Sequence, residues 1–113
     1  MKISQTDEFK KDLKYLSKKY QTLEQDLEIL IGAILVEPKG DGTKHWNLIT
    51  NINEIYILKV RMMCRSAKGS NFRVVYMYNQ SEIELLFIEI YYKGDKANND
   101  KIRIDDIVKK YKK

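Results

Sequence analysis

One cysteine, Cys64, stands in the 113 residues. That excludes an internal disulfide and any zinc site built from several cysteines, and a reducing cytoplasm is the expected setting. A lone histidine, His45, excludes a multi-histidine metal centre. Beside Trp46 it reads as a surface or packing residue rather than a base. One proline and five scattered glycines leave no glycine-rich phosphate loop. No run of about 18 apolar residues occurs, so no membrane span is expected. The opening Met1-Lys2-Ile3-Ser4-Gln5 lacks the apolar stretch of a secretory signal. No spacing signals a Ser-His-Asp triad, and Cys64 reads as a bystander thiol even beside Arg65.

What is abundant is positive charge. Lys and Arg total 21 against 16 Asp and Glu, a formal +5, while 43% of residues are apolar. The length suits one domain over residues 1–113. The charge favours an anionic partner, either nucleic acid or an acidic protein.

Residues 9 to 35 read as two helices. Phe9, Leu13, Leu16 and Tyr20 form one stripe at helical spacing, and Leu23, Leu27, Leu30, Ile31 and Ile34 form a second. Thr6 with Asp7 and Glu8 marks a helix start. Thr22 with Gln25 has the spacing of a capping box. So close a connection predicts an antiparallel helical hairpin, which Pro38 and Lys39–Thr43 terminate.

Three apolar runs, 55–63, 72–78 and 83–92, predict strands. Asn79-Gln80-Ser81 is a hairpin turn, and Ser66–Asn71 is a longer basic loop. Residues 2–4 suit a short edge strand. Ile104, Ile107, Val108 and Tyr111 mark a closing helix, with Asp105 and Asp106 near its start, followed by the basic tail 109–113. The expected fold is α+β: an N-terminal helical hairpin on a three- to four-stranded antiparallel sheet, with a short C-terminal helix.

Alternation divides the sheet into two faces. Tyr56, Leu58, Val60 and Met62, with Phe72, Val74, Tyr76 and Tyr78, face the hairpin. Lys59, Arg61 and Arg73 take the other face, and Lys93 closes the last run. Such a set can be neutralised by Glu54, Glu82, Glu84 or Glu89, or it can grip a phosphate. Arginine forks clamp phosphate oxygens. A lysine among cations acts as base, since its pKa is lowered. An RNA 2′-hydroxyl then serves as nucleophile without a metal. Tyr91 and Tyr92 offer rings for stacking on bases.

The segments Phe9–Tyr20, Leu23–Leu30, Ile55–Arg61, Phe72-Arg73-Val74-Val75-Tyr76 and Ile90–Lys96 follow one another in an order and spacing that resembles the RelE/ParE toxin superfamily, nearest its RelE- or HigB-like branch. The Phe72–Tyr76 stretch is similar to that family's G-[FY]-R-[VL]-[VI]-Y segment. The resemblance implies a microbial RNase fold and ribosome-dependent, metal-independent mRNA cleavage that inhibits translation. It implies no cofactor. A cognate antitoxin is the implied partner, in a toxin–antitoxin hetero-oligomer, with ribosome and mRNA as targets. By position it makes Lys59, Arg61, Arg73 and Lys93 catalytic, and Lys68, Tyr91, Tyr92 and Lys96 substrate-binding. Asn71 stands where the family often has glycine. Tyr92 or Tyr111 is the nearest substitute for the helix tyrosine of some members, and Glu54 a distant substitute for an acidic base. Two other functions fit the same outline: a ParE-like toxin that binds DNA gyrase without cutting RNA, and an inactive RNA-binding relic.

Overall fold

The computed structural model describes residues 1–68 and 71–112. Gly69 and Ser70 of the basic loop and Lys113 of the basic tail lie outside the described residues. The elements run β1 (Lys2–Gln5), α1 (Asp7–Ser17), α2 (Leu23–Val36), β2 (Trp46–Ile52), β3 (Ile55–Met62), β4 (Phe72–Asn79), β5 (Glu84–Tyr92) and α3 (Lys101–Tyr111). The class is α+β, as expected, but the sheet is larger. Five strands stand in the order β1-β5-β4-β3-β2. β1 pairs with β5 in parallel and the other pairings are antiparallel. The expected three- to four-stranded antiparallel sheet is thus corrected to a mixed sheet of five. The unforeseen strand is β2, whose Asn47, Thr50 and Asn51 interrupt the apolar alternation. It is an edge strand, bulged between Leu48 and Thr50, so little of it is buried.

Both helices lie on one face. Thr6 caps α1, its hydroxyl accepting from the Phe9 N–H at 3.1 Å. Phe9 and Leu16 are buried, and Phe9 meets Phe87 at 5.6 Å between ring centroids. Tyr20 falls after α1 rather than within it, and packs edge-on against Phe72. On the sheet, Leu58, Val60, Met62, Phe72, Val74 and Tyr76 meet the helices, as alternation requires. Tyr56 and Tyr78 flank them as a stacked pair. The Tyr76 hydroxyl donates to the Pro38 carbonyl at 2.8 Å and accepts from Trp46 Nε1 at 3.1 Å, which ties the loop after α2 to the sheet. Burial pushes this phenol up to about 12. Gly40 is required there: its φ is +86°, and a Cβ would meet Trp46 at 2.9 Å.

The capping box at Thr22 does not form. The Thr22 hydroxyl donates to Asp26 Oδ2 at 2.8 Å, and Gln25 accepts from Arg65 Nη2 at 3.1 Å. Asp26, only 6% exposed, also accepts from the Arg65 backbone N–H at 3.0 Å and from Arg65 Nε at 2.8 Å. A buried carboxylate needs those donors more than a helix end, which water can satisfy, needs its cap. The knot fastens the start of α2 to the turn after β3.

The other face is covered over one half. Ile104 and Ile107 of α3 pack on Ile55, Ile57, Val75, Met77 and Ile88. Asp100, not Asp105 or Asp106, starts α3, accepting from the Ile102 and Arg103 N–H groups. Arg103 reaches across to α1, where it forks onto Asp12 at 2.7 and 3.2 Å. In β5 the register slips by one residue: Glu89 pairs with Val75, Phe87 pairs with Tyr76, and Ile88 has no partner. The slip places Leu86, Ile88, Glu89 and Tyr91 all on the α3 face.

Asp26 yields a pH prediction. Burial raises its pKa, but the bonds from Arg65 and Thr22 outweigh burial and hold the carboxyl below the usual 3.8. With a depressed folded value, its contribution is complete above the unfolded pKa and is lost as pH falls through the folded one. Asp26→Asn is expected to cost about 1–3 kcal/mol in urea unfolding at pH 7. The variant should also lose part of the parent's decline in stability below pH 4.

Candidate functional site

The half of the sheet that α3 leaves open is the basic end. Arg61 on β3 stands directly opposite Arg73 on β4, and Arg73 opposite Tyr91 on β5. One row back, Asn47, Lys59, Val75 and Glu89 lie side by side across four strands. Lys93 follows β5, placed by its backbone N–H on the Asn71 carbonyl at 2.7 Å. Lys59, Arg61, Arg73 and Lys93 therefore line one cavity of about 390 Å³, together with Tyr91, Lys44, His45, Trp46, Asn47 and Ala97.

Two arginines face to face on neighbouring strands cost stability, about 0.2–1 kcal/mol for a like-charged pair. Arg73 is only 9% exposed and donates Nη1 to the Phe72 carbonyl at 2.9 Å. Burial, then Arg61, pull its pKa down, and Tyr91 opposes them. Lys59 is likewise lowered, by burial first, then by Arg73 and Lys93, with Glu89 acting the other way. Burial and then the Glu89 charge push the Tyr91 phenol up, against Arg73.

The carboxylates available for ion pairing are engaged elsewhere or distant. Glu89, 2% exposed, ion-pairs with Lys96 and accepts from the Asp100 N–H at 2.7 Å. Glu84 pairs with Lys2 at 3.5 Å. Among the described residues, Lys59, Arg61 and Lys93 form no ion pair with a carboxylate.

Four of the expected substrate-side positions part company. Tyr91 lines the cavity. Tyr92 lies on the opposite face, between Tyr20 and Phe72 at 5.6 and 5.4 Å, because neighbours along a strand alternate. Lys96 is held on Glu89, its ammonium 5.5 Å from the Tyr91 ring centre, at a neighbouring cavity with Asp12 and Arg103. Lys68 is exposed at a left-handed position after the turn Arg65–Ala67 and does not line the basic cavity. Glu54 precedes β3 at the other end of the sheet, and Tyr111 packs with the α3-side core. Neither lines the basic cavity.

The residues that sequence reasoning missed come from two polar segments. Lys44, His45 and Asn47 arrive with β2, whose one signal was the spacing of Trp46 and Leu48. Asn98 and Asn99 arrive with the loop before α3, where both side-chain oxygens accept from Lys59 Nζ, at 3.0 and 3.1 Å. Cys64 is buried, 3.4 Å from Ser66 Oγ, and does not line the basic cavity. Among the described residues no three His, Cys, Asp or Glu side chains gather to hold a metal ion, and no helix is long and apolar enough to cross a membrane.

The site predicts a measurable coupling. A lysine whose folded pKa is depressed withholds stability at neutral pH, and that stability returns as pH rises toward 10.5. In side-chain NMR titration, Lys59 is expected to deprotonate below that value, and Arg73→Met should move its midpoint back up. A midpoint indifferent to Arg73→Met would show that the two cations do not share one field.

No family model matches the chain, and no curated protein matches it. A solved structure does, the crystal structure of an archaeal RelE–RelB complex from Pyrococcus horikoshii OT3. The match covers 82% of this chain and 94% of the other, at 13% sequence identity and a TM-score of 0.60. At that identity the likeness is one of architecture, and the chain has a RelE-like fold.

Proposed function

We propose that this chain is, as a single domain, the toxin of a toxin–antitoxin pair, and that it cleaves messenger RNA on the ribosome. The observation that carries the reading is the meeting of Lys59, Arg61, Arg73 and Lys93 at one cavity. The RelE-like fold supports it, and so does the protein matched, which was crystallised as a RelE–RelB complex. A partner antitoxin would neutralise the basic end through acidic side chains.

The chemistry is transesterification within the RNA. Neutral Lys59 takes the proton of a 2′-hydroxyl. The 2′-oxygen bonds to the adjacent phosphorus as the bond to the 5′-oxygen breaks, and Lys93 gives that oxygen a proton. Arg73 and Arg61 hold the equatorial oxygens, whose charge grows toward the transition state. The products are a 2′,3′-cyclic phosphate and a 5′-hydroxyl. The depressed pKa of Lys59 raises its neutral fraction at physiological pH. Tyr91, at the cavity wall, is placed to contact the nucleotide.

Arg73→Ala is the decisive variant. It should abolish growth arrest on induction and reduce mRNA cleavage by about 10²–10³-fold, while circular dichroism shows a folded protein. A well-expressed Arg73→Ala that stays fully toxic would contradict the reading. Primer extension separates the main rival: uncut mRNA together with a DNA-damage response would mark a gyrase-binding toxin instead.

A further inference from the structure

Lys59 is held from the loop between β5 and α3. Its Nζ donates to Asn98 Oδ1 at 3.0 Å and to Asn99 Oδ1 at 3.1 Å. The Asn98 oxygen is itself preset, because the Asn99 backbone N–H donates to it at 2.9 Å. The loop is anchored at both ends on one carboxylate. Glu89 ion-pairs with Lys96 on one side of Ala97–Asn99 and accepts from the Asp100 N–H at 2.7 Å on the other. Glu89 is 2% exposed, so the loop that carries the two amides is tied to a buried carboxylate.

A lysine acting as base must first be a neutral amine, with two N–H donors and one lone pair. Two acceptors, one from each asparagine, occupy both donors. The lone pair then takes the direction that remains. Both acceptors are uncharged. Carboxylates at the same positions would favour the ammonium form and defeat the base. The charged groups around Lys59 are arranged to the same end. Arg73 from β4 and Lys93 after β5 disfavour the ammonium, and Glu89 favours it. Arg61 on its own strand and Lys44 and His45 before β2 share its cavity, while Lys101 and Asp105 of α3 line the groove on its other side.

We infer that Asn98 and Asn99 are positioning residues, which engage two hydrogens of Lys59 Nζ and leave its remaining direction, the lone pair of the neutral form, turned to the reacting 2′-hydroxyl. This rests on the nuclease reading above. It is a role that no sequence motif marks, since the Asn-Asn pair sits in an ordinary polar loop.

Asn98→Asp and Asn99→Asp test it, because each adds one charge with little change of shape. Side-chain NMR should show the Lys59 midpoint rising by about one pH unit in each variant. Single-turnover cleavage of ribosome-bound mRNA from pH 6 to 9 should fall about tenfold at pH 7 and recover as pH rises. Asn98→Ala/Asn99→Ala gives a second arm, with the rate lowered about tenfold or more even where Lys59 is neutral. An unmoved Lys59 midpoint, an equal loss at every pH in the aspartate variants, or an unchanged plateau in the alanine pair would overturn the inference. A parent protein that cuts no mRNA would instead overturn the nuclease reading, and the NMR midpoints would still decide whether the amides govern the lysine's proton.

Discussion

At Ile88 the β5 chain carries one residue for which β4 has no partner, and most of the site depends on that slip. A β-bulge reverses the alternation beyond it. Without it, the alternation set by Leu85 and Phe87 would turn Glu89 and Tyr91 to the helical hairpin. With it, Ile88 joins the apolar patch under α3, and Glu89 and Tyr91 join the basic face. The carbonyl that the bulge frees is used as well: Ile88 O accepts from Arg103 Nη1 at 3.1 Å, and Thr6 Oγ1 lies 3.4 Å from it. One backbone irregularity thus seats α3, joins it to the start of α1, and delivers the carboxylate that anchors the loop over Lys59.

The site is costly to build. Arg61 and Arg73 face each other across two central strands, and Lys59 and Arg73 both have depressed pKa values. Nothing in the packing of the fold requires cations there; apolar residues at the same positions would extend the core that α3 already covers. Sites with a chemical task are the places where stability is given up in this way. The rest of the fold compensates with well-satisfied knots. Asp26 with Thr22 and Arg65, and Asp12 with Arg103, each close a long stretch of chain.

Much of this was legible beforehand, for physical reasons that differ by segment. β3 and β4 are long and apolar, so their faces follow from period two, and Lys59, Arg61 and Arg73 fall together on one side. The Thr6 cap and the Phe9 and Leu16 stripe followed from helical spacing. β2 was missed because an edge strand buries little and needs no apolar alternation, and with it went Lys44, His45 and Asn47. Tyr92 does not join Tyr91, because two consecutive residues of a regular, unbulged stretch of strand point to opposite faces. Thr22 and Gln25 have the spacing of a cap, but Thr22 turns to Asp26 one turn on and Gln25 to Arg65, a tertiary partner invisible to local pattern. The bulge at Ile88 is marked in Leu85–Tyr92 only by Glu89, which strict alternation from Leu85 and Phe87 would drive into the hairpin core.

The central claim is that the four cations act together on one RNA phosphate, and the chemistry of the cut ends tests it most directly. Purified protein should be incubated with ribosome-bound mRNA, and the fragments' termini identified. The account predicts 2′,3′-cyclic phosphate and 5′-hydroxyl ends. Intact mRNA, or fragments ending in 3′-hydroxyl and 5′-phosphate, would contradict it.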